Sequence, residues 1–207
     1  MKNLIKSVAA AAVLAAPALA FGATYEVDQA HSAAHFTVKH MMVANVRGDF
    51  GKVSGTVNVD EKDITKSSVD VVIDASSIDT RNASRDGHLK SADFFDVANH
   101  PNLTFKSTKV EKDGEGKLKV TGNLTIRNVT KSVVLDVEGP SAELKGLDGS
   151  MRVGATATTK INRKDFGLNW NKALESGGVL VGDEVQVSLD FEGVRKQAAA
   201  DTAKDTK

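Results

Sequence analysis

The sequence predicts an all-β fold: eight antiparallel strands forming a sandwich or an up-and-down barrel, with one short helical insertion. Three observations carry this. Apolar and polar residues alternate with period two from Thr24 to Arg195, the mark of strands with one buried face. Turn-forming clusters punctuate the alternation at short intervals. A single stretch, Ile78 to His100, drifts toward helical spacing.

Taken in order, the first face is Ala34, Phe36, Val38 and His40, with His35, Thr37 and Lys39 opposite. Val53, Gly55, Val57 and Val59 follow, then Val69, Val71, Ile73 and Ala75. Leu103 and Phe105 alternate with Thr104 and Lys106. Leu118, Val120, Gly122, Leu124 and Ile126 make the fifth face, and Val133, Leu135 and Val137 the sixth. Met151 through Ile161 and Val185 through Phe191 complete the eight. The clusters Asp60–Asp63, Lys112–Gly116 and Gly146–Gly149 read as turns, and Asp113-Gly114 is a hairpin signal. Within Ile78–His100, Ala83, Leu89, Ala92 and Phe95 suggest a short helix stopped before Pro101. Asn162–Asp183 is long, contains apolar residues and has no period, the profile of a functional loop.

The ends read differently. Met1–Lys6 is a short basic start, followed by an apolar run from Val8 to Leu19 that closes on Ala18-Leu19-Ala20. The run falls short of the ~20 apolar residues a bilayer span needs, and its small-x-small ending is a signal-peptidase pattern. Residues 1–20 are therefore expected to be a cleavable leader, residues 21–195 the barrel domain and residues 196–207 a disordered tail. The expected location is the periplasm, or outside the cell, with no transmembrane segment in the mature chain.

Composition and motifs narrow the chemistry. Lys plus Arg and Asp plus Glu both total 27, so the basic surplus typical of nucleic-acid binding is missing. The absence of cysteine removes thiol nucleophiles and zinc–thiolate sites. Neither a dinucleotide fingerprint nor a phosphate-binding loop is present. His31, His35 and His40 lie close in sequence, but residues four apart on a strand are ~13 Å from each other, too far to share an ion. Asp28, His31 and Ser32 have the residue types of a triad, without the nucleophile elbow that would support one. No catalytic residue, metal ligand or cofactor is assigned, and the chain is not read as an enzyme.

An eight-stranded barrel either fills its interior with side chains or encloses one small ligand. The inward positions Ala34, Gly55, Ala75, Gly122, Ala155 and Ala157 are small. They leave room for a cavity, or let opposite walls pack closely.

Several strings, in this order, carry a resemblance. Asp28-Gln29-Ala30-His31-Ser32 leads into Phe36-Thr37-Val38-Lys39-His40. Ser77-Ile78-Asp79-Thr80, Arg85-Asp86-Gly87-His88-Leu89 and Asp93-Phe94-Phe95-Asp96 precede His100-Pro101. Gly122-Asn123-Leu124-Thr125-Ile126 runs into Val129-Thr130-Lys131, and Ile161-Asn162-Arg163-Lys164-Asp165-Phe166-Gly167 comes last. Over Thr24 to about Val194 the chain resembles the YceI-like family of bacterial periplasmic proteins. The resemblance implies a lipocalin-like eight-stranded antiparallel barrel that binds a polyisoprenoid, a quinone-like molecule or a fatty amphiphile, and dimers occur among its members. One departure stands out: Arg127-Asn128 and Ser132 replace a His-Gly and a Pro of the family pattern, at a turn where a different head-group preference could arise.

The expected function is a carrier or sequestering protein for a long-chain isoprenoid or another amphiphilic lipid. The alternatives are a quinone-linked redox accessory or enzyme, and a stress-related interaction module with a filled barrel. The expected wall is Phe36, Val38, Val71, Ile73, Phe105, Leu124, Ile126 and Phe191. Phe94, Phe95, Phe166, Leu168 and Trp170 are expected to cap it. Candidates for the head group are His40, Arg85, His88 and Arg163, since guanidinium suits phosphate or carbonyl acceptors. Arg85 could equally pair with Asp86 to brace the helix, and Phe94 and Phe95 could be plain core.

Overall fold

The chain runs up and down eight times, and three of the first legs are broken into shorter strands. The computed structural model describes residues 22–175 and 177–197. The expected leader and most of the expected tail lie outside these residues. The first leg is β1 (Ala23–Val27) and β2 (Ala33–His40), and the second is β3 (Ala44–Phe50) and β4 (Val53–Val59). The third is β5 (Ser68–Asp74) and the two-residue β6 (Ile78–Asp79), parted by a 3-10 turn at Ala75–Ser77. Then come β7 (Asn102–Lys112), β8 (Lys117–Ile126), β9 (Val129–Glu138), the minor β10 (Leu144–Lys145), β11 (Met151–Asn162) and β12 (Val181–Arg195).

Each leg pairs antiparallel with the next, and β9 passes to β11. Fifteen residues long, β12 closes the circle by pairing with β1 near its end and with β2 along its first part. The result is a closed eight-stranded antiparallel barrel, the architecture that removes exposed sheet edges. Every predicted strand falls within one leg.

The helix α1 (Ala83–Lys90) is shorter than the predicted segment. Asn82 caps it, its side chain accepting the Arg85 N–H at 3.0 Å, as an N-cap asparagine does. Residues beyond Ser91 fold back in tight turns that press Phe94 and Phe95 toward the barrel.

Two ends result. The α1 end gathers the β2–β3 hairpin, the β6–β7 connection with α1, the β8–β9 hairpin and the β11–β12 connection. The β10 end gathers the β4–β5 connection, the β7–β8 hairpin and the β9–β11 connection. The largest buried apolar cluster, including Phe50, Ile78, Phe94, Leu103, Phe166 and Leu168, fills the α1 end. A second, around Phe105, Val110, Val120 and Leu135, lines the barrel's waist.

Candidate functional site: an apolar lumen

Because side chains alternate along a strand, every leg sends one row inward, and these rows enclose a cavity of about 300 Å³. This is at the lower end of the volumes typical of small-molecule sites. All eight expected wall residues, Phe36, Val38, Val71, Ile73, Phe105, Leu124, Ile126 and Phe191, line it. Many inward side chains, among them Val57, Val69, Val71, Val137 and Val187, are only half-buried although they face the interior. They border open space rather than each other.

Two glycines help keep that space open. A side chain on Gly122 would meet the Phe105 ring at 2.3 Å, and one on Gly48 would meet the Phe36 ring at 2.4 Å. Each ring rests over a glycine, where any added side chain would have to displace it. Ala34, Ala155 and Ala157 line the cavity as well. Gly55 and Ala75 do not: Gly55 abuts the β5 backbone, and Ala75 is fully buried in its 3-10 turn.

Phe94, Phe95 and Leu168 reach the lumen at the α1 end, joined by Leu89. Phe166 is buried in the cluster behind them. Trp170 sits outside the cavity, packed on the His88 ring at 4.7 Å and the Phe94 ring at 5.3 Å.

The four head-group candidates do not converge. Arg163 is buried and touches the lumen, but all five of its N–H groups are used. They go to the carbonyls of Gly182, Leu168, Trp170 and Val181 and to the Asp183 carboxylate. Burial pulls its guanidinium below the ordinary value, with Asp183 pushing the other way. Its observed work is to staple the β11–β12 connection. Arg85 donates to the hydroxyl and carbonyl of Thr80, whose hydroxyl and N–H in turn donate to Asp86. The helix brace thus runs through Thr80 rather than by direct pairing. His88 shares a hydrogen bond with Asp93 at 2.8 Å, and His40 ends β2 away from the lumen. At the departure from the family pattern, Arg127 has a left-handed φ of 56° and donates to the Gly167 carbonyl at 3.4 Å.

Two further polar side chains of the wall are engaged internally. Thr159 donates to the Val134 carbonyl, and the Ser67 hydroxyl accepts the Asp60 N–H. Among the described residues no buried side-chain polar atom lacks a partner. The lumen can therefore solvate hydrocarbon but has little to offer a charged group.

Outside the barrel, His31 and His35 go to separate carboxylates. His35 is bonded to Asp49 and, at 3.1 Å, to Asp190. The Asp49 bond leads in raising its pKa, against some desolvation. His31 lies 3.0 Å from Asp28. Asp28, His31 and Glu192 bring donor atoms within 4.8 Å of one another, but Arg152 already donates to both carboxylates and to Asp148. The His31 and Arg152 bonds hold Asp28 at a pKa of about 2. Bonds from Ser150, then Arg152, hold Asp148 at about 2. Sequence reasoning missed Arg152, whose partner Asp28 is 124 residues away.

A closed up-and-down barrel around an apolar lumen defines a lipocalin-like class of protein. The YceI-like domain matches residues 25–193, and the chain belongs to that family. It is 38% identical over 168 residues to the UPF0312 protein SA2479 of Staphylococcus aureus strain N315, spanning 81% of this chain and 95% of that one. Among solved structures, the Campylobacter jejuni YCEI protein superposes with a TM-score of 0.65 at 33% identity, over 77% of this chain and 90% of that one. Burkholderia cenocepacia BcnA gives 0.67 at 25% identity, over 80% and 98%. A polyisoprenoid binding domain from Saccharophagus degradans shares the fold, with a TM-score of 0.60 at 17% identity over 83% and 98%.

Proposed function

We propose that this chain binds one long hydrocarbon chain, an isoprenoid or a comparable lipid tail, in the barrel lumen and so carries or sequesters it in the periplasm. The carrying observation is the apolar cavity of about 300 Å³, around which no buried side-chain polar atom of the described residues lacks a partner. Transfer from water favours each buried methylene by ~0.8 kcal/mol, so an extended tail gains enough to offset the cost of ordering it. Since the guanidinium that touches the lumen is fully engaged, a charged or polar head group belongs at one end of the lumen. The polyisoprenoid-binding description of the S. degradans domain supports the ligand class by analogy of fold. The leader pattern of residues 1–20 supports export.

Native mass spectrometry of the protein purified gently from the periplasm tests this. The expected result is a stoichiometric added mass that extracts into solvent as a long-chain lipid. Phe105→Arg, which puts a charge into the wall, is expected to remove it. A bare protein mass that takes up no added isoprenoid or fatty ligand overturns the reading.

A further inference from the structure

The β2–β3 hairpin ends in three apolar residues held out in water: Met41, Met42 and Val43 are 43, 61 and 82% exposed. The backbone there is costly too. Met41 and Met42 have φ of 51° and 61°, and two successive left-handed positions in a hairpin favour Asn-Gly. Exposure and strain thus fall on the same two residues, a coincidence typical of functional segments rather than of turns selected for stability. The patch continues onto the neighbouring connection, where Val179 is exposed and the Leu180 carbonyl accepts the Met41 N–H at 2.8 Å.

The surrounding charge points to the partner. Lys39 and Arg47 flank the tip on the two strands, and Lys172 stands on the adjoining connection. All three are exposed, and none has an ion pair among the described residues. The stretch 168–180 contributes Glu175 as its acidic side chain. Three or four apolar side chains cannot approach the ~1,000 Å² of a specific protein interface. Flexible apolar side chains in a basic rim do match the boundary between head groups and acyl chains of an anionic membrane.

We propose that the β2–β3 tip is a docking element for an anionic lipid surface: Met41, Met42 and Val43 enter the head-group boundary while Lys39 and Arg47 meet the phosphates. The inference is independent of what fills the lumen. Co-sedimentation of the exported protein with vesicles tests it, comparing phosphatidylcholine alone with a mixture containing about 30% phosphatidylglycerol. The wild type is expected to bind the mixed vesicles and to be released by about 0.5 M salt. Met41→Asn with Met42→Gly and Val43→Ser is expected to weaken binding about tenfold or more. Its denaturant midpoint should stay level or rise, because Asn-Gly suits the turn, so lost binding is not lost folding. Lys39→Gln with Arg47→Gln should weaken binding roughly fivefold per charge. The exposed pair at the other end, Leu144→Ser with Leu147→Ser, should leave it unchanged. The proposal is overturned if the wild type binds neither vesicle, if the tip variant binds as the wild type does, or if the leucine pair carries the binding. It is equally overturned if the tip variant changes only the sedimentation mass of the protein without lipid, which would make the tip a self-association contact.

Discussion

At the α1 end the lumen stops against Leu89, Phe94, Phe95 and Leu168, backed by Phe166 and stapled by the buried Arg163, whereas at the β10 end it stops against Ile64, Ser67 and Pro140. The loops of the β10 end are tied by surface charges. Arg195 bridges Glu61 on the β4–β5 connection to Glu143 on the β9–β11 connection. The Tyr25 hydroxyl also donates to Glu143, and burial, followed by that bond, pushes the tyrosine up to a pKa of about 12. Arg152 ties Asp148 to Asp28 and Glu192. One end is therefore closed by desolvation and backbone hydrogen bonds, the other by ion pairs that water, salt and protons can reach. The first kind of closure is costly to break and insensitive to conditions. The second is weak and adjustable.

Arg163→Met attacks the stronger end and should rank with the largest effects. It leaves the Gly182, Leu168 and Trp170 carbonyls without the guanidinium, while the Val181 carbonyl keeps Asn171 and the Asp183 carboxylate keeps Lys164. The expected loss is about 3 kcal/mol, as for other broken buried polar networks. Denaturant unfolding measures it. A loss under about 1 kcal/mol would show that water replaces the guanidinium readily and that the α1 end is not stapled at all. Phe94→Ala stands beside it, at about 3 kcal/mol for a buried phenylalanine. It should also expose Trp170, visible as a red shift of its fluorescence. Unchanged emission would mean that the Trp170–Phe94 packing does not close this end.

At the β10 end, Arg152→Gln should destabilise less than either of these, and its effect should depend on pH. Asp28 and Asp148 have folded pKa values near 2, below the ordinary aspartate range of about 4. Their contribution is present above that range and is lost as pH falls through the folded values. The gap between wild type and variant should narrow from about pH 4 toward about pH 2. The Phe94→Ala gap should not change in that window. Parallel pH curves for the two variants would erase the distinction between the ends.

How legible each end was in the sequence follows from the same physics. Strand faces show wherever alternation is uninterrupted, as in β5, β8 and β12. They fade where a neighbour supplies the side chain: β3 reads as polar because Gly48 stands at the position covered by the Phe36 ring. In β7 a register shift between Ser107 and Lys109 breaks the alternation, so the predicted strand ended at Lys106 while the real one continues to Lys112. The apolar wall was readable because hydrophobicity is a property of single residues. Roles set by partners were not. Arg163 bonds mainly to backbone carbonyls, which carry no sequence signature, and Arg152 and Arg195 meet carboxylates far along the chain.

Between the two ends, the outer wall carries a further proton-linked contact of smaller effect. His35 on β2 bonds to Asp49 on β3 and to Asp190 on β12, tying three neighbouring strands. These bonds raise its pKa above the ordinary value. The stabilisation is therefore complete below about 6.5 and is lost as pH rises through the folded value. The direction is opposite to that of Asp28 and Asp148, so the protein should be most stable in the window between the two transitions. With the imidazole more than a third exposed, screening limits the gain to about 0.5 kcal/mol. His35→Gln should reduce the slope near neutrality while leaving the acid limb set by Arg152 intact. Denaturant midpoints across the range, together with the His35 titration followed by NMR, measure both. His31 beside Asp28 adds a slope of the same sign, so the comparison is of its size. If the neutral slope survives the substitution undiminished, the closing seam of the barrel is not proton-linked, and pH acts only at the β10 end.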